Sequence, residues 1–306
     1  MTFVRTAFVF PGQGSQRAGM LDAVPENDAL ERLLDAAEAL SGLELRTIAR
    51  LGQAEELADT RVAQPLLYLT DWAWAVALLE SQVVPELLAG HSLGELAALA
   101  IGGVVSVEAG LELVIERSKL MATTAASAPG TMAAVLGVSA DVIADTLATV
   151  DQVWVANDNS PSQVVISGSH EGVEAATLRL LDVGARRVVP LNVAGPFHSP
   201  MMEPARAAFA EILVETEFKN ATIPVLQNTD PSPATDGQAI RERLTGQITA
   251  PVRWTETMQA LVADGPTVVV EAGPGSVLKG LVRNYESLSA VSVEESGIER
   301  VVEEVS

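Results

Sequence analysis

Ten residues, LLAGHSLGEL at 87–96, restrict the fold of this chain more than any other stretch. An apolar Leu87–Leu88 run enters the frame Gly90-x-Ser92-x-Gly94, and Leu96-Ala-Ala-Leu99 leaves it with helical spacing. A serine on such a strand-to-helix turn has an exposed hydroxyl and the positive end of a helix beneath it. The next backbone N–H also points at any oxyanion formed on its substrate. The turn needs a buried strand with a helix packed back on it, which means an α/β sheet. Ser92 is therefore the candidate nucleophile, and the plainer alternative is an ordinary turn serine.

Other segments repeat this logic. FVRTAFVF at 3–10 reads as a buried strand running into the glycine turn PGQGSQ. Helical patterns follow at 26–40 and 65–80, the second opening with Pro65 at a first helical position and apolar nearly all round. PTVVVEAGPGSVLKGLV near the C-terminus is again strand, glycine turn and helix. The middle differs. TMAAVLG, SADVIADTLATV, QVWVANDNSPSQVVISG with an Asn-Ser-Pro turn, EGVEAATLRLLDVGA and RRVVPLNV give the order β-α-β-β-α-β, the ferredoxin-like pattern. This predicts a small domain at 127–193 inserted into a larger α/β domain, with a cleft between them as the substrate site.

Composition removes several functions. With no cysteine there is no disulfide, thiolate metal site or cysteine nucleophile, and the three histidines lack metal-ligand spacing. No metal is expected. A net charge of −21 argues against nucleic acid and anionic membranes as partners. No stretch reads as membrane-spanning: the longest uncharged run, Leu120–Ala140, is broken at Pro129–Gly130. The start has too short an apolar run for a secretory signal, so a cytoplasmic location is expected. The tail VEESGIERVVEEVS reads as a short solvated helix without function.

If Ser92 is the nucleophile, a histidine must take its proton. His91 is adjacent on a sharp turn, where neighbouring side chains diverge, and reads as structural. His170 in SGSHEG sits at a helix start as a cap or surface residue. His198 in NVAGPFHSPMM follows a strand in an irregular loop, where scaffolds place catalytic groups. By elimination His198 is the base; its alternative is a hydrogen-bonded loop histidine. No Asp or Glu announces itself as a third member, and a backbone carbonyl could orient the ring instead. Arg117 lies on a helix starting near Ser106, where Leu111, Val114, Ile115 and Met121 form an apolar arc. Glu112, Glu116 and Lys119 fall on the polar side, whereas Arg117 projects inside the arc between Leu113 and Met121. It calls for a buried protein carboxylate, an escape to the surface, or a bidentate grip on a substrate carboxylate. PGQGSQ is neither a P-loop nor Gly-x-Gly-x-x-Gly, and suits close approach of backbone to a ligand.

Taken in order, FVFPGQGSQ, AGHSLGELAAL, ERSKLM, NSPSQVVISG, GPFHSPMM, QITAPVRW and VVEAGPGSVLKGL closely resemble the malonyl-CoA:acyl carrier protein transacylase family. Each motif is weak alone; the ordered set is specific. The resemblance implies an acylated Ser92, His198 as base, and an oxyanion hole from the backbone N–H groups of Gln13 and Leu93. It implies that Arg117 pairs with the malonyl carboxylate and that the Gln247 carbonyl orients the histidine. Phe197 matches a position tied to selecting malonyl over methylmalonyl. The expected fold is α/β: a large parallel-sheet, α/β-hydrolase-like domain, 1–126 and 194–306, with the inserted ferredoxin-like domain at 127–193. "AND" at 156–158 and Pro196 depart from common family forms and bear on substrate choice.

The reaction so implied is ping-pong transfer from malonyl-CoA to the phosphopantetheine thiol of an acyl carrier protein, with no cofactor, since the coenzyme A thioester is a substrate. Carrier proteins of this kind are acidic, as this chain is, so docking requires a local basic patch; Arg186, Arg187, Lys279 and Arg283 are the candidates, with Lys119 weaker. A monomer is favoured. The rivals are an α/β-hydrolase thioesterase and a carrier-binding relative without activity. PGQGSQ, the inserted segment and Arg117 speak against the first, and the complete residue set against the second.

Overall fold

The computed structural model describes residues 5–265 and 267–306, so Phe3 and Val4 of the first expected strand and Pro266 lie outside the described residues. The described strands are β1 (Arg5–Phe10), β2 (Leu87–Gly90), β3 (Thr131–Leu136), β4 (Val153–Ser160), β5 (Gln163–Gly168), β6 (Arg187–Pro190), β7 (Val225–Leu226), β8 (Thr267–Glu271) and β9 (Leu288–Ser292). They form two sheets, β7-β2-β1-β8-β9 and β4-β5-β3-β6.

The first sheet is parallel throughout. Its strands are apolar without alternation because both faces are covered. In β1, Phe8 and Phe10 enter one core while Ala7 and Val9 enter another on the opposite face, as a period of two requires. Phe10 and Gly90 are paired at the carboxyl ends of β1 and β2. PGQGSQ and the Ser92 turn therefore leave the sheet side by side, at the edge where open parallel sheets bind ligands.

Two long helices, Thr60–Glu80 and Val107–Ser127, pack together beneath this edge. The first begins five residues before the expected Pro65, capped by Asp59, whose carboxylate accepts the Arg61 N–H at 2.9 Å. The cap signal prevails over the proline, which sits inside the helix with its missing N–H. The Tyr68 hydroxyl donates to the Val107 carbonyl at 2.9 Å, and a Cβ at Gly110 would lie 2.1 Å from that hydroxyl. Glycine there permits the close crossing. Thr60–Glu80 is long and apolar enough to cross a membrane by length and composition alone, but 78% of its apolar window is buried inside the protein, the position of a core helix.

The second sheet comes from residues 131–190 with helices Ala140–Leu147 and His170–Asp182, in the order β-α-β-β-α-β. Every neighbouring pair in it is antiparallel. Val135, Ile143, Ile166, Val173 and Leu180 make it a core of its own. Two register shifts in β4 carry the strand through Ser160, so the turn is Pro161–Ser162 rather than Asn159-Ser160-Pro161. β4 also reaches the other part of the chain, where Val252 N–H donates to the Ala156 carbonyl at 2.8 Å. The acidic tail differs from expectation as well: it forms helices Val293–Ser296 and Ile298–Val305, with Val293 and Val301 fully buried.

Candidate active site

The Gly-x-Ser-x-Gly spacing has a steric cause. A Cβ on Gly90 would lie 1.9 Å from the Gly94 backbone, and one on Gly94 would lie 2.1 Å from the Phe10 carbonyl oxygen. Between them Ser92 takes φ 52, a left-handed conformation uncommon for any residue with a side chain. This throws its hydroxyl out of the turn, where Oγ lies 2.7 Å from His198 Nε2. His198 also has positive φ, 55, and is only 4% exposed.

His198 Nδ1 donates to two backbone carbonyls, Gln247 at 3.0 Å and Ala250 at 3.1 Å. Both partners are acceptors only, so the neutral ring carries its proton on Nδ1 and offers the Nε2 lone pair to Ser92. Among the described residues no carboxylate is hydrogen-bonded to the ring. Burial pushes the His198 pKa down to about 3, and the Arg117 cation and His91 add to the shift.

Arg117 is 1% exposed, which places it inside the apolar arc as its spacing required. It does not reach the surface, and it is bonded to no carboxylate among the described residues. Nη1 donates to Gln64 Oε1 at 2.7 Å; Nη2 donates to Gln247 Oε1 at 3.0 Å and to Ser92 Oγ at 3.3 Å. Nε has no partner among the described residues. Burial lowers its pKa to about 10, opposed by the Glu95 charge, so it remains a cation at neutral pH. A buried cation whose hydrogen-bond partners are two neutral amides and a hydroxyl is left short of an anion.

Gln247 ties the group together. Its backbone holds His198, its Oε1 accepts from Arg117, and its Nε2 donates to the Ser92 carbonyl at 2.9 Å. Gln64 escaped the sequence reading because the helix was started at Pro65; the Asp59–Thr60 cap signal places it one turn further in. Asn228 also escaped: its Oδ1 accepts the Ser92 N–H at 2.7 Å.

The amides of Gln13 and Leu93 have no hydrogen-bond acceptor among the described residues. Both residues line a cavity of about 70 Å³ together with Ser92, Arg117, Phe197, His198 and Met132. His91 is not part of the proton path: its Nε2 is 2.8 Å from Asn159 Oδ1 and its ring tilts against Trp254. His170 opens a helix, exposed, with Ser169 rather than His170 as the cap. Arg186 and Arg187 are exposed at the start of β6, while Lys279 lies in the helix Val277–Val282 that packs on β8 and β9 and Arg283 caps its C-terminus. Lys279 is already paired with Glu295 at 3.0 Å, and Lys119 with Glu116 at 2.9 Å.

The acyl transferase domain family matches residues 7–299. The chain belongs to this family. Among acyl transferases it is 43% identical over 281 residues to the malonyl CoA-acyl carrier protein transacylase of Synechocystis sp., covering 92% of this chain and 93% of the relative. With the protein of the same name from Bacillus subtilis it shares 39% identity over 284 residues, 91% of this chain and 90% of the relative. The Synechocystis crystal structure superposes with a TM-score of 0.88 at 41% identity, covering 94% and 97% of the two chains. A malonyl-transacylase solved in complex with a type II PKS acyl-carrier protein superposes at 0.89, with 37% identity and 97% and 99% coverage.

Proposed function

We propose that this acyl transferase moves a malonyl group from coenzyme A to the phosphopantetheine thiol of an acyl carrier protein through a malonyl-Ser92 ester. The observation that carries this reading is Arg117, a buried cation without an acidic partner whose Nη2 lies 3.3 Å from Ser92 Oγ. That separation suits an acyl group bonded to Ser92 and ending in a carboxylate. In the first half-reaction Ser92 Oγ attacks the thioester carbonyl as its proton passes to His198 Nε2. The Gln13 and Leu93 amides hold the oxyanion. Collapse breaks the C–S bond, and the departing thiolate takes the proton from His198. In the second, His198 accepts the carrier thiol's proton, the sulfur attacks the ester, and Ser92 leaves reprotonated. The two carbonyls on Nδ1 orient and stabilise the imidazolium in place of a carboxylate. The coenzyme A thioester is a substrate in this reading, and each step above is carried by the chain's own residues.

Phe197, 5% exposed and lining the cavity, is read as the residue that limits acyl size. Gln13, Leu191 and Val193 continue into a groove of about 590 Å³, a fitting path for a pantetheine arm. We assign residues 1–126 and 194–306 to an α/β-hydrolase-like domain and 127–193 to an inserted ferredoxin-like domain, supported by the separate core of the antiparallel sheet. A cytoplasmic monomer without nucleic-acid or membrane partners is the accompanying reading.

Brief incubation with malonyl-CoA and no carrier should add the mass of one malonyl group, on the peptide containing Ser92. Free malonate without an adduct would instead identify a thioesterase. Because burial lowers the His198 pKa, its neutral, active form persists below the ordinary imidazole range. Acylation should stay level as pH falls through about 6.5; a half-loss there in single-turnover measurements would contradict this. For docking, Arg186→Glu with Arg187→Glu should raise the carrier KM about tenfold and leave acylation by malonyl-CoA unchanged. Unchanged carrier kinetics would remove both residues from the interface.

A further inference from the structure

We propose that Asn228 is a positioning residue that sets the nucleophile turn and thereby decides which backbone N–H faces the oxyanion; this rests on Ser92 as the nucleophile. β7 pairs with β2 only through Leu88↔Val225 and Ala89↔Leu226. Beyond that point the side chain of Asn228 takes over from the backbone ladder. Its Nδ2 donates to the Gly90 carbonyl at 2.6 Å, and its Oδ1 accepts the Ser92 N–H at 2.7 Å. One amide thus spans the residues on either side of His91 and matches both the acceptor and the donor that the left-handed Ser92 turn leaves open.

The consequence falls on the next residue. With the Ser92 N–H committed to Asn228, and Gly94 and Glu95 N–H bonded to the His91 and Ser92 carbonyls, Leu93 is the turn amide left without an acceptor among the described residues. Asn228 is itself held firmly. Its N–H donates to Glu95 Oε2 at 2.7 Å, and Gln227 Nε2 donates to Glu95 Oε1 at 3.1 Å. Its carbonyl accepts the Arg253 N–H at 3.1 Å. Glu95 lies in the first turn of the helix that follows Ser92, so the turn and its clamp fix each other. Asn228, Gln227 and Glu95 are all buried to within 1% exposure. Both polar atoms of the Asn228 side chain and both Glu95 oxygens are paired, with only Gln227 Oε1 lacking a partner among the described residues, and a clamp bonded in this way defines one geometry.

The test is rapid-quench single-turnover acylation by malonyl-CoA in wild type, Asn228→Ala and Asn228→Asp, with Kd for malonyl-CoA measured in a Ser92→Ala background. Asn228→Ala should lower the acylation rate constant about 30–100-fold, in the range for losing one oxyanion donor, while Kd changes less than about threefold. Asn228→Asp supplies a readout that simple loss of packing does not give. Its protonated carboxyl can donate to Gly90 and accept from Ser92, whereas the ionised form has no donor and stands close to Glu95. Its acylation should approach wild type near about pH 5 and fall as pH rises, while wild type stays level. Asn228→Ala within about threefold of wild type, or an Asn228→Asp pH profile parallel to wild type, would overturn the proposal. If the alanine variant does not fold, the aspartate profile decides alone. Absence of acylation in wild type would overturn the Ser92 reading instead.

Discussion

Replacing Ser92 or His198 by alanine should each lower malonyl transfer by about 10⁴-fold or more, and the double variant should be no worse than either alone. In the proposed mechanism the two atoms that exchange the proton are 2.7 Å apart, so losing either removes the same step. Residual turnover would come from binding and from the oxyanion hole proposed at the Gln13 and Leu93 amides, which neither substitution touches. The distinguishing measurement is the acyl-enzyme: Ser92→Ala should show no malonyl adduct by intact mass, whereas His198→Ala should accumulate one slowly, over hours rather than milliseconds. Independent, multiplying losses in the double variant would mean that the pair does not act as one unit. Both variants should stay folded, since neither side chain fills the main core.

Arg117→Ala should cut kcat/KM for malonyl-CoA by about 10³-fold, the scale of removing one member of a buried charge pair. Acetyl-CoA, which has no carboxylate, should change by less than about tenfold. The difference has two sources. The guanidinium is the only positive group bonded to the Ser92 hydroxyl among the described residues, so a malonyl carboxylate loses its sole partner. Arg117 also helps to depress the His198 pKa, so its loss strengthens the base for either thioester. Acetyl keeps that gain with no ion pair to lose, whereas for malonyl the lost pairing outweighs it. Equal losses on both thioesters, compared at matched single-turnover conditions, would show that Arg117 only supports the fold. Gln64→Leu should weaken the same discrimination by about tenfold, because Gln64 Oε1 fixes the other arm of the fork at 2.7 Å.

The parts of this site legible in the sequence were those with a local cause. Gly90 and Gly94 are dictated by backbone approaches of about 2 Å, so the turn could be read from spacing alone. Arg117 stood out because helical periodicity put a cation among apolar residues. The antiparallel segment was visible in its alternation of strand and helix patterns. What stayed hidden depends on contacts between distant residues. Gln64 meets Arg117 across 53 positions and Asn228 meets Ser92 across 136. Neither an isolated glutamine nor an isolated asparagine carries a pattern that periodicity can detect. Pro65 misled for a different reason: its preference for a helix start is real, but Asp59 supplies a stronger one a turn and a half earlier.

The proposed reacting pair, Ser92 and His198, and the residues that hold it, Arg117 and Gln247, belong to chain outside residues 131–190, while Met132 and Asn157 bring that segment to the wall of the cavity beside Ser92. The reacting groups and one wall of the cavity are therefore inherited from different stretches of the polypeptide, with Phe197 remaining beside the former. A lineage can reshape the far wall through a segment with its own core, provided it keeps the Val252–Ala156 backbone bond two residues from the Ala250 carbonyl that holds His198. For the engineer, an exchange of 131–190 trades one face of the gauge and has that joint to respect.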